Sequence, residues 1–212
     1  MKKIKIGLID YGMGNLKSVS KALEKVGARV WMVDKPSRFK NVSALVLPGV
    51  GAFHVAVRNL KEKKLFKPVQ EWIRSGSPFL GICLGYQLLF QGGKEGGKME
   101  KGLGIFPGKV QRFPKKRNLK VPHMGWNQVE PAKPVSGIFR GIPNGSYFYF
   151  VHSYFPVPED RKTIATKTRY GNDFASSIAW GNSFACQFHP EKSGDNGLKL
   201  LRNFVRQAGA AC

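Results

Sequence analysis

Acidic residues are scarce in this sequence. Its 212 residues hold 13 aspartates and glutamates against 35 lysines and arginines, a formal charge of +22. Cysteine is scarcer still. Cys83, Cys186 and Cys212 are an odd number with no CxxC spacing, which argues against a disulfide framework and a zinc knuckle. A reducing cytoplasm is therefore expected. No apolar run reaches the roughly 18 to 20 residues that a membrane span needs. The most apolar stretch, Pro78 to Phe90, is broken by Gly81 and Gly85. Met1-Lys2-Lys3 opens like a signal peptide, but Lys5 and Asp10 cut the apolar run that follows, so a first strand is expected there instead. Without a secretory signal, Asn41-Val-Ser43 and Asn144-Gly-Ser146 carry no expectation of glycosylation.

What is present is an ordinary globular composition. An apolar fraction of 42% excludes a disordered chain, which could not offset its own conformational entropy. The length suits one domain, residues 1–212, with no repeat or linker. The excess positive charge bears on association, not on fold. Lys109 to Lys120 holds Lys109, Arg112, Lys115, Lys116, Arg117 and Lys120 without an acid, but only Phe113 is there to stack on a base. The stretch reads as a solvated loop between strands, and nucleic acid is not the expected partner.

The N-terminal half alternates strands and helices. A strand over 3–10 leads through Gly12 and Gly14 to a helix capped by Asn15, with Leu16, Val19, Leu23 and Val26 on one face and Gly27 at its end. Strands at 28–33, 44–47 and 78–82, helices at 52–61 and 65–75, and a helix over 84–91 complete a βαβ pattern and a parallel sheet. The stretch Gln91 to Lys98, rich in glycine and lysine, is expected to be flexible. Gly12-Met13-Gly14-Asn15-Leu16-Lys17 fails as a dinucleotide fingerprint, because lysine stands where a third glycine must permit close packing. Beyond Gly102 short alternating runs (108–113, 146–155, 163–169, 174–180, 183–188) read as antiparallel strands, followed by a helix over 197–207.

Gly81-Ile82-Cys83-Leu84-Gly85 lies where a buried strand meets a helix. This is the G-x-nucleophile-x-G elbow with cysteine in the nucleophile position. Helix N-terminal amides would favour a thiolate, and the Leu84 amide points where an oxyanion would form. Of four histidines, His189 stands in Phe188-His189-Pro190-Glu191, with Glu191 placed to orient its ring. Alternation along 183–189 puts Gln187 on the face of His189 and turns Cys186 into the core, so Cys186 is no rival nucleophile. Cys212, at the end of the sequence, is expected to be mobile.

Gly81–Gly85, Pro48-Gly49-Val50-Gly51 and Phe188–Glu191 together resemble the class I triad glutamine amidotransferases. Asp10-Tyr11-Gly12-Met13-Gly14-Asn15-Leu16, Pro122-His123-Met124-Gly125-Trp126-Asn127 and 147–154 are similar, more narrowly, to the glutaminase subunits of imidazole glycerol phosphate synthases. The resemblance implies a three-layer α/β fold, a central mixed, mostly parallel sheet flanked by helices, with antiparallel strands in the C-terminal half. It implies hydrolysis of L-glutamine by Cys83, His189 and Glu191, and an oxyanion held by the amides of Val50 and Leu84 after the 48–51 turn flips. Gly51, Gln87, Ser153 and Tyr154 would hold the substrate. His123, Met124, Trp126 and Tyr149 would meet a (β/α)8 cyclase subunit in a heterodimer. No metal or organic cofactor is implied. Read from the residues alone, Trp126 and Tyr149 are also compatible with core aromatics, and His54, His123 and His152 with structural histidines. An amidotransferase serving another synthase, such as one in surface-sugar amination, and a free-standing cysteine hydrolase carry the same triad.

Overall fold

A computed structural model describes residues 4–95, 99–115, 117, 119–132 and 137–210. The strands are β1 (Lys5–Ile9), β2 (Arg29–Val33), β3 (Ala44–Leu47), β4 (Phe79–Ile82), β5 (Phe90–Gly93), β6 (Glu100–Lys101), β7 (Phe106–Arg112), β8 (His123–Pro131), β9 (Ser146–His152), β10 (Tyr154–Pro158), β11 (Ile164–Tyr170), β12 (Asn172–Trp180) and β13 (Ser183–Cys186). The helices are α1 (Leu16–Lys25), α2 (Phe53–Glu62), α3 (Phe66–Arg74), α4 (Leu84–Gln87) and α5 (Gly194–Ala210).

One sheet runs β2-β1-β3-β4-β13-β12-β11-β8-β9. Its first four pairings are parallel and its last four antiparallel. Alternation along the buried strands feeds two cores. Ala44 and Val46 face α1 and α5, packing with Val19, Leu23, Leu201 and Phe204. Leu45 and Leu47 face α2 and α3, packing with Phe53, Val57, Leu60 and Val69. Helices therefore cover both faces of the parallel half, the three-layer arrangement expected. No helix among the described residues is long and apolar enough to cross a membrane.

A second sheet, β10-β7-β5-β6, lies beside the first and is not legible in the strand pattern alone. It accounts for four corrections. The helix expected over 84–91 stops at Gln87, because Phe90–Gly93 leaves as β5 to pair with β7. Gln91, Gly92 and Gly93 are thus strand residues, not flexible loop, while Gly96, Gly97 and Lys98 lie outside the described residues. The run 146–155 is two strands, split at Ser153 between the sheets. Lys109 and Arg112 belong to β7 with their side chains exposed, so only the rest of that basic stretch links strands, and Lys116 lies outside the described residues. Cys212 also lies outside them.

Strand β8 went unpredicted for a physical reason. Its buried positions are His123 and Val129, with Gly125 and Asn127 between them on the same face, while Met124 and Trp126 are exposed. Polar residues point inward over His123–Asn127 and apolar Val129 does so beyond them, so the alternation changes phase between Asn127 and Gln128 and no single period-2 pattern spans the strand.

Candidate active site

β4 is buried along its whole length and delivers Cys83 at its end. Cys83 sits at φ 54°, ψ −107°, a left-handed backbone that non-glycine residues rarely adopt. Such a residue costs on the order of 1–3 kcal/mol and persists only where its surroundings hold it. Here its N–H donates to the Cys186 carbonyl at 2.7 Å, and its carbonyl accepts from the Tyr86 and Gln87 amides at 3.0 and 3.2 Å. The flanking glycines are sterically required. A Cβ on Gly85 would collide with the Leu47 carbonyl, and one on Gly81 would lie 3.1 Å from the Gly85 oxygen. The helix that follows has only four residues, so its aligned dipole is small and the expected macrodipole support for a thiolate is correspondingly weak.

His189 follows β13 and is anchored to β9. Its N–H donates to the Tyr149 carbonyl at 2.9 Å, while the Ser193 hydroxyl accepts from the Tyr149 N–H at 3.0 Å and donates to the His189 carbonyl at 2.6 Å. Its Nδ1 stands 2.7 Å from Glu191 Oε1, with the two side chains 2% and 1% exposed. A carboxylate accepts, so Nδ1 carries the proton and Nε2 is the nitrogen left for Cys83. Nε2 makes no hydrogen bond of good geometry, and its interaction with Cys83 is the electrostatic one that follows. Burial alone would lower the His189 pKa; the charge on nearby Cys83, with the hydrogen bond and charge of Glu191, outweighs it and raises it to about 10. Gln187, one turn of the pleat before His189, donates from Nε2 toward Cys83 Sγ at 3.6 Å. Cys186 is fully buried and its thiol is pushed up, chiefly by burial, consistent with an inert core residue.

The Leu84 amide, expected to serve an oxyanion, is not open. The Leu84 N–H donates to the Gly49 carbonyl at 3.3 Å. Val50, next along, is exposed. The turn is pinned from below: the Tyr11 hydroxyl donates to the Pro48 carbonyl at 3.0 Å, and a Cβ on Gly49 would strike that hydroxyl. Burial, then the charge on Cys83, pushes the Tyr11 phenol up, so it stays a donor. Gly51 has φ +99°, which its lack of a side chain permits.

A cavity of about 550 Å³ opens over Cys83 and is lined by Val50, Gly51, Leu84, Gln87, Ser153 and Tyr154, all expected from sequence. Glu95, His152, Pro122 and Val151 line it too. Glu95 was not foreseen, lying in a stretch read as loop; its carboxylate accepts from the Phe53 N–H at 2.7 Å, at the start of α2. Gln87 uses Nε2 on the Tyr154 carbonyl at 2.9 Å and on Gln187 Oε1 at 3.1 Å, which leaves its own Oε1 as the group to meet a ligand. A larger groove of about 670 Å³, between Arg161, Lys167 and Phe174, lacks Cys83, whereas the smaller cavity is lined by Cys83, with His189 and Glu191 outside its lining.

Met124 and Trp126 are exposed on β8, and Trp126 pairs across to the half-buried Tyr149 of β9. His123 does not join that surface. It is 3% exposed on the opposite face of β8, stacked between Phe150 and Tyr170, because successive strand residues point to opposite sides. His54 is exposed on α2.

The sequence profile "Glutamine amidotransferase class-I" matches residues 7–208. The chain is 51% identical over 209 residues to imidazole glycerol phosphate synthase subunit HisH of Moorella thermoacetica, covering 97% of this chain and 98% of that protein. It is 52% identical over 201 residues to the same subunit of Thermosynechococcus vestitus, covering 94% and 95%. Among solved structures, PurLQS from Thermotoga maritima superposes with a TM-score of 0.73 at 18% identity, over 97% of this chain and 99% of that one, a likeness of fold. With profile, relatives and elbow in agreement, the chain belongs to the class I glutamine amidotransferase family.

Proposed function

We propose that this protein is the glutaminase subunit of an imidazole glycerol phosphate synthase. It hydrolyses L-glutamine in the cytoplasm and passes ammonia to a (β/α)8 cyclase subunit in a heterodimer, serving histidine biosynthesis. The observation that carries the reading is Cys83 on a strained elbow, lining a cavity, with His189 paired to Glu191 and acting electrostatically on Cys83. The names of relatives that span nearly the whole chain supply the synthase.

The Cys83 thiolate attacks the side-chain amide carbon of glutamine. Protonated His189 gives its Nε2 proton to the leaving nitrogen, so ammonia departs and a thioester remains. Neutral His189 then takes a proton from water, hydroxide adds to the thioester, and glutamate leaves as the thiolate returns. Glu191 holds the ring and stabilises its charge at each protonation. Gln87 Oε1 and the Glu95 carboxylate present acceptors and negative charge to the substrate ammonium. The Leu84 amide serves the oxyanion once the Gly49 carbonyl turns away and the Val50 amide takes its place. Val151 lines the cavity and pairs across strands with exposed Met124, which makes this face the natural site for the cyclase.

The test is ammonia release from glutamine by the chain alone and with a cyclase subunit carrying its nucleotide ligand, with Cys83→Ala as blank. Low release alone, strong stimulation by the loaded partner and none in the blank are expected. Fast release indifferent to the partner would favour a free-standing hydrolase. Stimulation only by a cyclase of surface-sugar amination would move the chain to that paralogue.

A further inference from the structure

Two buried histidines take no part in this chemistry, yet they are bonded to the cavity. His123 on β8 and His152 on β9 face each other, with His123 Nδ1 3.0 Å from His152 Nε2. His152 Nδ1 lies 2.8 Å from the Tyr154 carbonyl, and Asn127 Nδ2 lies 3.2 Å from His123 Nε2. The protons in this chain are fixed by logic. A carbonyl only accepts, so His152 Nδ1 is protonated and its neutral Nε2 accepts from His123 Nδ1. His123 Nε2 then accepts from Asn127. Asn127 cannot turn round, because its Oδ1 accepts from the Gln128 N–H at 2.8 Å and its Nδ2 donates to the Arg169 carbonyl at 3.0 Å. One arrangement satisfies every group: both rings neutral, each protonated at Nδ1.

The chain continues into the site. The Tyr154 carbonyl also accepts from Gln87 Nε2, Gln87 reaches Gln187 Oε1, and Gln187 Nε2 points at Cys83 Sγ. At the other end, the outer face of β8 bears exposed Met124 and Trp126.

We infer that His123 and His152 are positioning residues, a one-way hydrogen-bond relay that ties β8 to the Tyr154 carbonyl and thereby sets Gln87 and the glutamine pocket. What the pocket holds rests on the glutaminase reading above. A displacement of β8 by a partner on its outer face is carried inward by bonds that have no slack. Burial keeps both rings neutral, holding His123 to about 4 and, joined by the His123 and His189 charges, His152 to about 3. The titratable groups around the pair are Tyr170, stacked on His123 at 3.9 Å, and His189, acting on His152; Phe113, Phe150 and Phe174 form the rest of the wall.

A purely structural pair would need only rings of the right shape, and two substitutions separate the cases. His123→Phe keeps a ring in the stack and removes both hydrogen bonds. His123→Asn restores a donor where Nδ1 stood. Three quantities are read: KM and kcat for glutamine in the complex with the cyclase subunit, the rate of Cys83 alkylation by iodoacetamide without glutamine, and the ring ¹⁵N spectrum of the unsubstituted protein. His123→Phe is expected to raise KM about tenfold with kcat changed about twofold at most, and to slow alkylation about threefold; His123→Asn recovers most of both. The spectrum shows both rings neutral and Nδ1-protonated at neutral pH. Unchanged KM and alkylation in His123→Phe, equal defects in both variants, or a different tautomer on either ring overturns the relay. If the unsubstituted complex releases no ammonia, the glutaminase reading fails, and the alkylation rates and ring spectrum still decide the relay. If His123→Phe does not fold, His123→Asn decides it: KM and alkylation near those of the unsubstituted protein support the relay, and defects of about tenfold and threefold overturn it.

Discussion

The Leu84 amide donates to the Gly49 carbonyl at 3.3 Å, so the donor proposed to meet an oxyanion is satisfied by the turn proposed to supply the second one. The two demands exclude each other. An oxyanion needs N–H groups, and this turn offers a carbonyl. Exchange of that carbonyl for the Val50 amide is a peptide rotation between Gly49 and Gly51, where absent side chains keep the barrier low. On the glutaminase reading proposed above, that exchange is the step a partner promotes.

Replacing Val50 by proline deletes the incoming N–H. Partner-stimulated glutamine hydrolysis is expected to fall about 10²–10³-fold, the usual loss for one oxyanion donor. Alkylation of Cys83 by iodoacetamide, which forms no oxyanion, should persist. A variant still fully stimulated would place the second donor elsewhere.

His189, held protonated first by the charge on Cys83 and then by Glu191, sets the alkaline limit. His189 is held at about 10, above its ordinary 6.5, so its proton is present through neutral pH and lost as pH rises through about 10. The stabilisation it brings is complete below 6.5 and disappears over that same upper window. Glu191→Gln removes the carboxylate, shifting the high-pH limb of kcat downward and lowering kcat by about 10²–10⁴-fold, as when the carboxylate of such a triad becomes an amide. A pH–rate profile from 6 to 10.5 reads both effects.

The His123–His152 pair sets the acid limit of stability. Both folded values, about 4 and about 3, lie below the unfolded 6.5, so the unfolded chain binds protons first as pH falls. Stability is full above 6.5 and declines below it toward pH 4 and 3. Urea unfolding at pH 7.5 and pH 5 should give a lower midpoint at pH 5, and His123→Phe should shrink the difference.

Lys64 offers a gain in stability. It follows α2 at φ 58°, with its N–H on the Lys61 carbonyl and the Leu65 N–H on the Leu60 carbonyl. Gly27 ends α1 with the same pair of bonds, from Gly27 to Glu24 and from Ala28 to Leu23. Only one of these positions has the residue that left-handed backbone favours. Lys64→Gly should stabilise the protein by about 1 kcal/mol and raise its melting temperature by about 2–4 °C, with activity unaffected.

The sequence by itself determined the parts that local chemistry dictates. The βαβ start, the Asn15 cap, the glycine-flanked Cys83 elbow, the His189–Glu191 spacing and the inward turn of Cys186 each depend on residues a few positions apart. Alternation and steric rules act at that range. What only the tertiary structure decided depends on distant partners. The second sheet ended α4 after one turn. A change of phase in its alternation hid β8, and pairing across it buried His123, expected from the motif at a partner interface. Glu95 became part of the cavity because the start of α2 lies beside it. The Leu84–Gly49 bond joins residues 35 positions apart, and such a bond is fixed by packing and has no counterpart in local pattern.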